Sequence, residues 1–168
     1  MLRMSLAAVV VAATAAVVSG QAQSASNIAN AVAICQGALP AFEGSLRKRP
    51  LAIANEGTSN AFISCSLPIE QTAHNGNNIV AIGLVNRGPA LVAVACTMVD
   101  GTAPELAGAI PPTLYPKNIA IAPGEGVTLA WQASEYALQV FSKFAGVSCS
   151  LPPGVEIALM GTNFLTAP

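Results

Sequence analysis

Charge is scarce in this chain. Of 168 residues only 9% are Asp, Glu, Lys or Arg, aromatic residues make up 5%, and there is one histidine, His74, and one aspartate, Asp100. Seven basic residues against eight acidic ones exclude a surface that attracts a polyanion, so no nucleic-acid partner is expected. With a single histidine and no CxxC spacing among the four cysteines, the usual zinc ligand sets are missing. The Asn-rich run at Asn75 to Asn78 has no carboxylate to give a calcium ion. No metal and no cofactor is therefore expected.

The same shortages bear on catalysis. A Ser-His-Asp arrangement would have to use His74, which lies in His74-Asn75-Gly76-Asn77-Asn78, a run of turn-formers. It would also need Asp100, which a turn at Gly101 explains without chemistry. There is no G-x-S-x-G and no H-E-x-x-H. The glutamates Glu43, Glu56, Glu70, Glu105, Glu125, Glu135 and Glu156 offer no singled-out pair for glycoside hydrolysis. The chain is read as having no enzymatic activity.

Long apolar runs are missing too, with one exception at the start. Arg3 precedes Leu6 to Val18, thirteen uncharged residues, and a small, polar stretch follows to Ser26. That order is the one of a secretory signal peptide, and the run is short of the about 20 residues a membrane span needs. Residues 1–24 are read as the leader, cut between about Ala22 and Ser26, and residues 25–168 as one domain. The mature chain is expected to be exported, periplasmic or extracellular, without a membrane span. Six basic residues then face eight acidic ones, a net charge of −2.

What the chain does have is alternation. Short segments, LAIAN, AFISCSL, IVAIGLVN, ALVAVACTMV, NIAIA, VTLAWQA, FAGVSCSL and VEIALMG, are separated by turn signals. Thr102 to Pro116 holds four prolines and reads as a long crossing loop. Pro123-Gly124-Glu125-Gly126 reads as a hairpin turn, and Pro152-Pro153-Gly154 as the turn of a last strand pair. No long helix is convincing. The expectation is an all-β antiparallel sandwich of 7–8 strands, immunoglobulin-like or jelly-roll.

Cys35, Cys65, Cys96 and Cys149 all fall in the mature part, and an even count in an exported chain implies two disulfides. Three pairings are open, with a lean to Cys35–Cys65 and Cys96–Cys149. The pentapeptide Ser-Cys-Ser-Leu-Pro occurs at 64–68 and again at 148–152. Residues two apart in a strand share a face, so Cys65 sides with Ile63 and Leu67, and Cys149 with Val147 and Leu151. Cys96 sides with Val94 and Met98. These cysteines are expected in the interior, fastening the two layers.

Binding is the larger prospect. Arg47-Lys48-Arg49 could dock an acidic partner, although a solvated turn ahead of the first strand explains it more simply. Trp131 shares parity with Val127 and Leu129 and reads as core, whereas Tyr115 and Tyr136 fall in or near loops and suit an exposed contact. The outward parity carries Ala81, Gly83, Ala93, Ala95, Ala120, Ala122, Ala130 and Ala158, a smooth and nearly uncharged set. Such a face or edge is normally blunted with charge unless something covers it. Two functions follow: a non-enzymatic structural or interaction module that meets a protein partner or itself through a sheet face or edge, and alternatively a small carbohydrate-binding module that uses the loop aromatics.

The early cysteine, "LAIANEGTSNAFISCSLP", "VAVACTMVDG" and the final "SCSLPPGVEI" together resemble a class of uncharacterised exported bacterial proteins. That class carries strand-borne cysteines and a C-terminal C-x-L-P-P-G segment. The resemblance implies a four-cysteine β-sandwich and carries no activity with it.

Overall fold

A computed structural model describes residues 24–67, 76–102 and 108–165. The expected leader up to residue 23, together with Glu70, His74 and Glu105, lies outside the described residues. The elements in chain order are β1 (Ser24–Asn30), α1 (Ala31–Ile34), β2 (Cys35–Gly37), α2 (Pro40–Glu43), β3 (Leu46–Arg49), β4 (Ala52–Asn55), β5 (Ala61–Ser66), β6 (Ile79–Asn86), β7 (Val92–Asp100), β8 (Thr113–Ile121), β9 (Gly126–Gln132), β10 (Ala145–Leu151) and β11 (Val155–Leu165). Among the described residues no helix is long and apolar enough to cross a membrane.

Two antiparallel sheets pack face to face. Sheet I runs β3-β4-β11-β6-β9, with β1 beside the second half of β11, and sheet II runs β2-β5-β10-β7-β8. The strands β4 to β11 are the eight that alternation predicts. Their pairing decides between the two topologies. β4 pairs with β11, β5 with β10, β6 with β9 and β7 with β8. One long antiparallel ribbon is thus folded back at the β7–β8 loop and rolled so that successive pairs fall in alternate sheets, which is a jelly roll.

The inward parity fills the space between the sheets. Trp131, Phe141, Ile63, Ile82, Leu84 and Met160 are all fully buried, and burying one such side chain contributes about 1.5–3 kcal/mol. The interior rows of β4 and β6 each end in an asparagine. Asn55 donates from Nδ2 to the carbonyls of Ser59 and Leu151, both at 2.8 Å, while its Oδ1 accepts the Gly57 N–H at 2.9 Å. Asn86 repeats this, donating to the carbonyls of Ala90 (2.8 Å) and Ile121 (3.0 Å) and accepting from Gly88 N–H at 2.9 Å. The main-chain carbonyls of the two accept from Gly154 and Gly124, each at 2.8 Å. Both glycines have positive φ, 79° and 74°, and a side chain on Gly154 would run into the backbone of Gly88.

These contacts correct three sequence expectations. The Pro123-Gly124 and Pro152-Pro153-Gly154 turns are not hairpins, because β8 and β9, like β10 and β11, lie in different sheets; they are corners of the roll. The proline-rich stretch is no crossing loop. It joins the paired neighbours β7 and β8, and residues 113–116 already belong to β8, an edge strand whose free side tolerates Pro116. Arg47-Lys48-Arg49 is not a turn either, since it forms β3, the edge strand paired with β4.

Replacing Asn55 or Asn86 by Ala leaves buried carbonyls and a glycine N–H without partners, so each change should cost about 2–3 kcal/mol. The denaturant midpoint should fall with little change in slope. Asp at either position, which cannot donate to the two carbonyls, should be no better than Ala in the same measurement.

Candidate functional site

Four places in the fold hold the residues that the sequence singles out. The first is the middle of sheet II. Cys35 faces Cys65 across β2 and β5, and Cys149 faces Cys96 across β10 and β7, and each facing pair is a disulfide with Cα atoms 4.0 and 4.1 Å apart. The bridges therefore join neighbours within one sheet. They do not fasten one layer to the other, because the four cysteines all sit on sheet II strands. The two Ser-Cys-Ser-Leu strands lie side by side and antiparallel, with Ser64 opposite Ser148, Ile63 opposite Cys149 and Cys65 opposite Val147. Each copy offers its cysteine to the strand on its far side. Among the described residues there is no free cysteine, so there is no thiolate chemistry.

The second place is the open side of the sandwich, between the edge strands β8 and β9. Tyr115 and Tyr136 do come together here, with ring centroids 4.5 Å apart, and Phe141 lies 5.4 Å from Tyr115 and 6.1 Å from Tyr136. Both tyrosines are half-buried against the core. Two bonds cross between the sheets at this point. Trp131 Nε1 donates to the Tyr115 carbonyl at 2.7 Å, and Lys117 Nζ donates to the Ala130 carbonyl at 2.6 Å. Lys117 also pairs with Glu135 and stands 6.0 Å from the Tyr136 ring. The hydrogen bond from Lys117 holds the Glu135 carboxyl below its ordinary value. Nearby, Asp100 is fully engaged in fixing the loop at Ser142, whose N–H and hydroxyl it accepts.

The third is β3. Arg47 and Arg49 point to one side and both pair with Glu56. Glu56 holds the Arg49 guanidinium protonated even more firmly than usual. Lys48 points to the other side. It lines a cleft of about 380 Å³ together with Gln36, Ser64, Ser66 and the Cys35–Cys65 bridge. Sequence reading missed this cleft, because β2 gives only a three-residue strand signal and nothing in the chain says that Lys48 of β3 shares a cleft with it.

The fourth is the outer face of sheet I. Around Ile28, Ile79, Ala81, Leu159 and Gly161 it forms an open apolar hollow of about 180 Å³. Ile28 is 67% exposed and Leu159 39%. The outward set anticipated from parity is half-buried or exposed, and it is divided between sheet I (Ala81, Gly83, Ala130, Ala158) and sheet II (Ala93, Ala95, Ala120). Among the described residues no three His, Cys, Asp or Glu side chains cluster as a metal site.

No protein-family model matches the chain, and no curated protein matches it. Among solved structures, the carbohydrate-binding module TmCBM61 in complex with beta-1,4-galactotriose is similar over 85% of this chain and 88% of that one, at 7% identity and a TM-score of 0.31. A likeness that distant carries no argument about function.

Because Lys117 is the main cause of the lowered Glu135 value, Lys117→Met should return Glu135 to the ordinary glutamate range. Carbon-13 titration of the side-chain carboxyl reads this directly. The sign follows from linkage: a lowered folded value stabilises above the unfolded value and is lost as pH falls through the folded one. The wild-type protein should therefore lose this contribution on acidification, and the variant should show no such step at Glu135.

Proposed function

We propose that the chain is an exported, non-catalytic interaction module that associates with a second copy through β1 and the uncharged face beside it. The observation that carries this reading is the state of the sheet edges. An open edge invites pairing with another chain, and proteins blunt it with short strands, charge or proline. β3 is four residues long and holds three cations, β2 has three residues, and β8 contains Pro116 and Lys117. On β9, the Ala130 carbonyl is already taken by Lys117. β1 has none of these devices. Beyond the expected cut at Ser24 it keeps six residues, Ala-Ser-Asn-Ile-Ala-Asn, without charge or proline, and among the described strands it pairs only with β11.

The face next to that edge supports the same reading. Ile28 and Leu159 are exposed large aliphatics over a neutral hollow, a surface whose cover would remove apolar area from water. An identical uncharged strand meets β1 without like-charge repulsion, and a two-fold axis closes such a contact at a dimer. Two disulfides fit an oxidising compartment outside the cytoplasm. The glycan reading through Tyr115 and Tyr136 has less support, since both rings are half-buried and pack on one another and on Phe141.

Light scattering of the mature, oxidised protein should show a concentration-dependent dimer. Ile28→Lys, at a position too exposed to matter for folding, should return it to monomer. A wild-type monomer at every concentration would remove the proposal.

A further inference from the structure

We propose a second site, independent of self-association: the cleft beside the Cys35–Cys65 bridge binds a carboxylated saccharide through Lys48. Charge pairing singles out this lysine. Of the six described cations, Arg47, Arg49, Arg87 and Lys117 each have a carboxylate partner. Lys48 has none among the described residues, and of the two that remain, Lys48 and Lys143, it is the one that lines the cleft. The other polar residues of the cleft, Gln36, Ser64 and Ser66, are neutral. An exposed lysine at the wall of a polar recess, with no acid among the described residues that line it, offers half of an ion pair, and an anionic ligand supplies the other half.

The neutral residues and the size narrow the chemistry. Hydroxyls and an amide both donate and accept, which matches the hydroxyls of a sugar. A cleft of about 380 Å³ lies within the range of small-molecule sites. One ammonium matches the single charge of a carboxylate, whereas a phosphate carries nearly two charges and favours forked guanidinium donors. The arginines that could supply such a fork, Arg47 and Arg49, face away and are held by Glu56. The disulfide fixes Cys35 against Cys65 and so holds Gln36 opposite Ser64 in the pairing of β2 with β5. The site is therefore built before any ligand arrives.

The test is a titration of the nitrogen-15-labelled, oxidised mature protein with digalacturonate, with its dimethyl ester as the neutral control. Amide shifts should be confined to residues 33–36, 48 and 64–66. The ester should bind at least about tenfold more weakly, and affinity should fall as salt rises from about 20 to about 500 mM. Lys48→Met should lose about tenfold, or about 1.4 kcal/mol, with the spectrum away from the cleft unchanged, and Lys48→Arg should retain most of the binding. No shifts at about 20 mM sugar would overturn the proposal. So would equal binding of the ester, an unaffected Lys48→Met, or displacement of the sugar by inorganic phosphate at equal concentration.

Discussion

The rolled ribbon depends on buried asparagines at its corners. Wherever two paired strands leave one sheet for the other, their backbone groups lose ladder partners at a point covered by the next layer, and each group still requires a hydrogen bond. The described strand pairs make three such crossings, and beside each lies one buried asparagine: Asn55, Asn77 and Asn86. A primary amide suits the task because it carries two donors and an acceptor without a charge to desolvate. At Asn55 and Asn86 those three functions are all used, binding the strand's own turn and the last residue of a strand in the opposite sheet. Asn77 does related work at the other end. Its amide donates to the Ser142 carbonyl, and its backbone exchanges two bonds with Phe141.

Corner position in turn fixes which residues are interior. Asn55 follows Ile53 at a spacing of two, and Asn86 follows Ile82 and Leu84 in the same way, so the amide is the last member of each inward row. A slip of one residue would turn the whole row to solvent. The disulfides act one level further out. The Cys96–Cys149 bridge joins two inner strands of sheet II, while Cys35–Cys65 holds the three-residue β2, too short to stay on the sheet by its ladder alone. In the chain-entropy account, closing loops with sequence separations of 30 and 53 contributes roughly 4 kcal/mol each.

The eight strands of the roll were legible in the sequence because period-two alternation and turn residues are local signals. What the turns connect was not. Pro-Gly is equally suited to a hairpin and to a corner, and only the distant partners of Asn55 and Asn86 distinguish them. The corners did leave a trace, since Asn-x-Gly recurs at 55–57 and 86–88 and Pro-Gly at 123–124 and 153–154. The repeated Ser-Cys-Ser-Leu-Pro showed its facing by parity, but that its two copies pair with each other is a long-range fact. The strand β3 hid behind three consecutive cations, a composition that reads as solvated turn and is equally the mark of a guarded edge. The candidate contacts fared unevenly for the same reason. Parity placed Trp131 inside, yet it could not show Tyr115 and Tyr136 packed on each other, nor Lys48 turned away from its two neighbours.

In a chain with so few charges, where they sit is informative. Arg47 and Arg49 meet Glu56 along β3, Arg87 meets the nearly buried Glu156 beside a corner, and Lys117 meets Glu135 at the seam of β8 and β9. Every described ion pair lies at an edge strand or a strand end, and the outer faces between them carry small neutral residues with a few exposed apolar ones such as Leu159 and Phe62. A sandwich guarded in this way is not uniformly adhesive. Its neutral faces alone would give weak and undirected contact, but next to one unguarded border they make contact directional, because strand pairing sets the angle and the apolar surface supplies the energy. The same placement explains why the ammonium of Lys48 stands out. With Arg47, Arg49, Arg87 and Lys117 neutralised in place, it lines a recess whose described walls provide hydroxyls and an amide but no carboxylate.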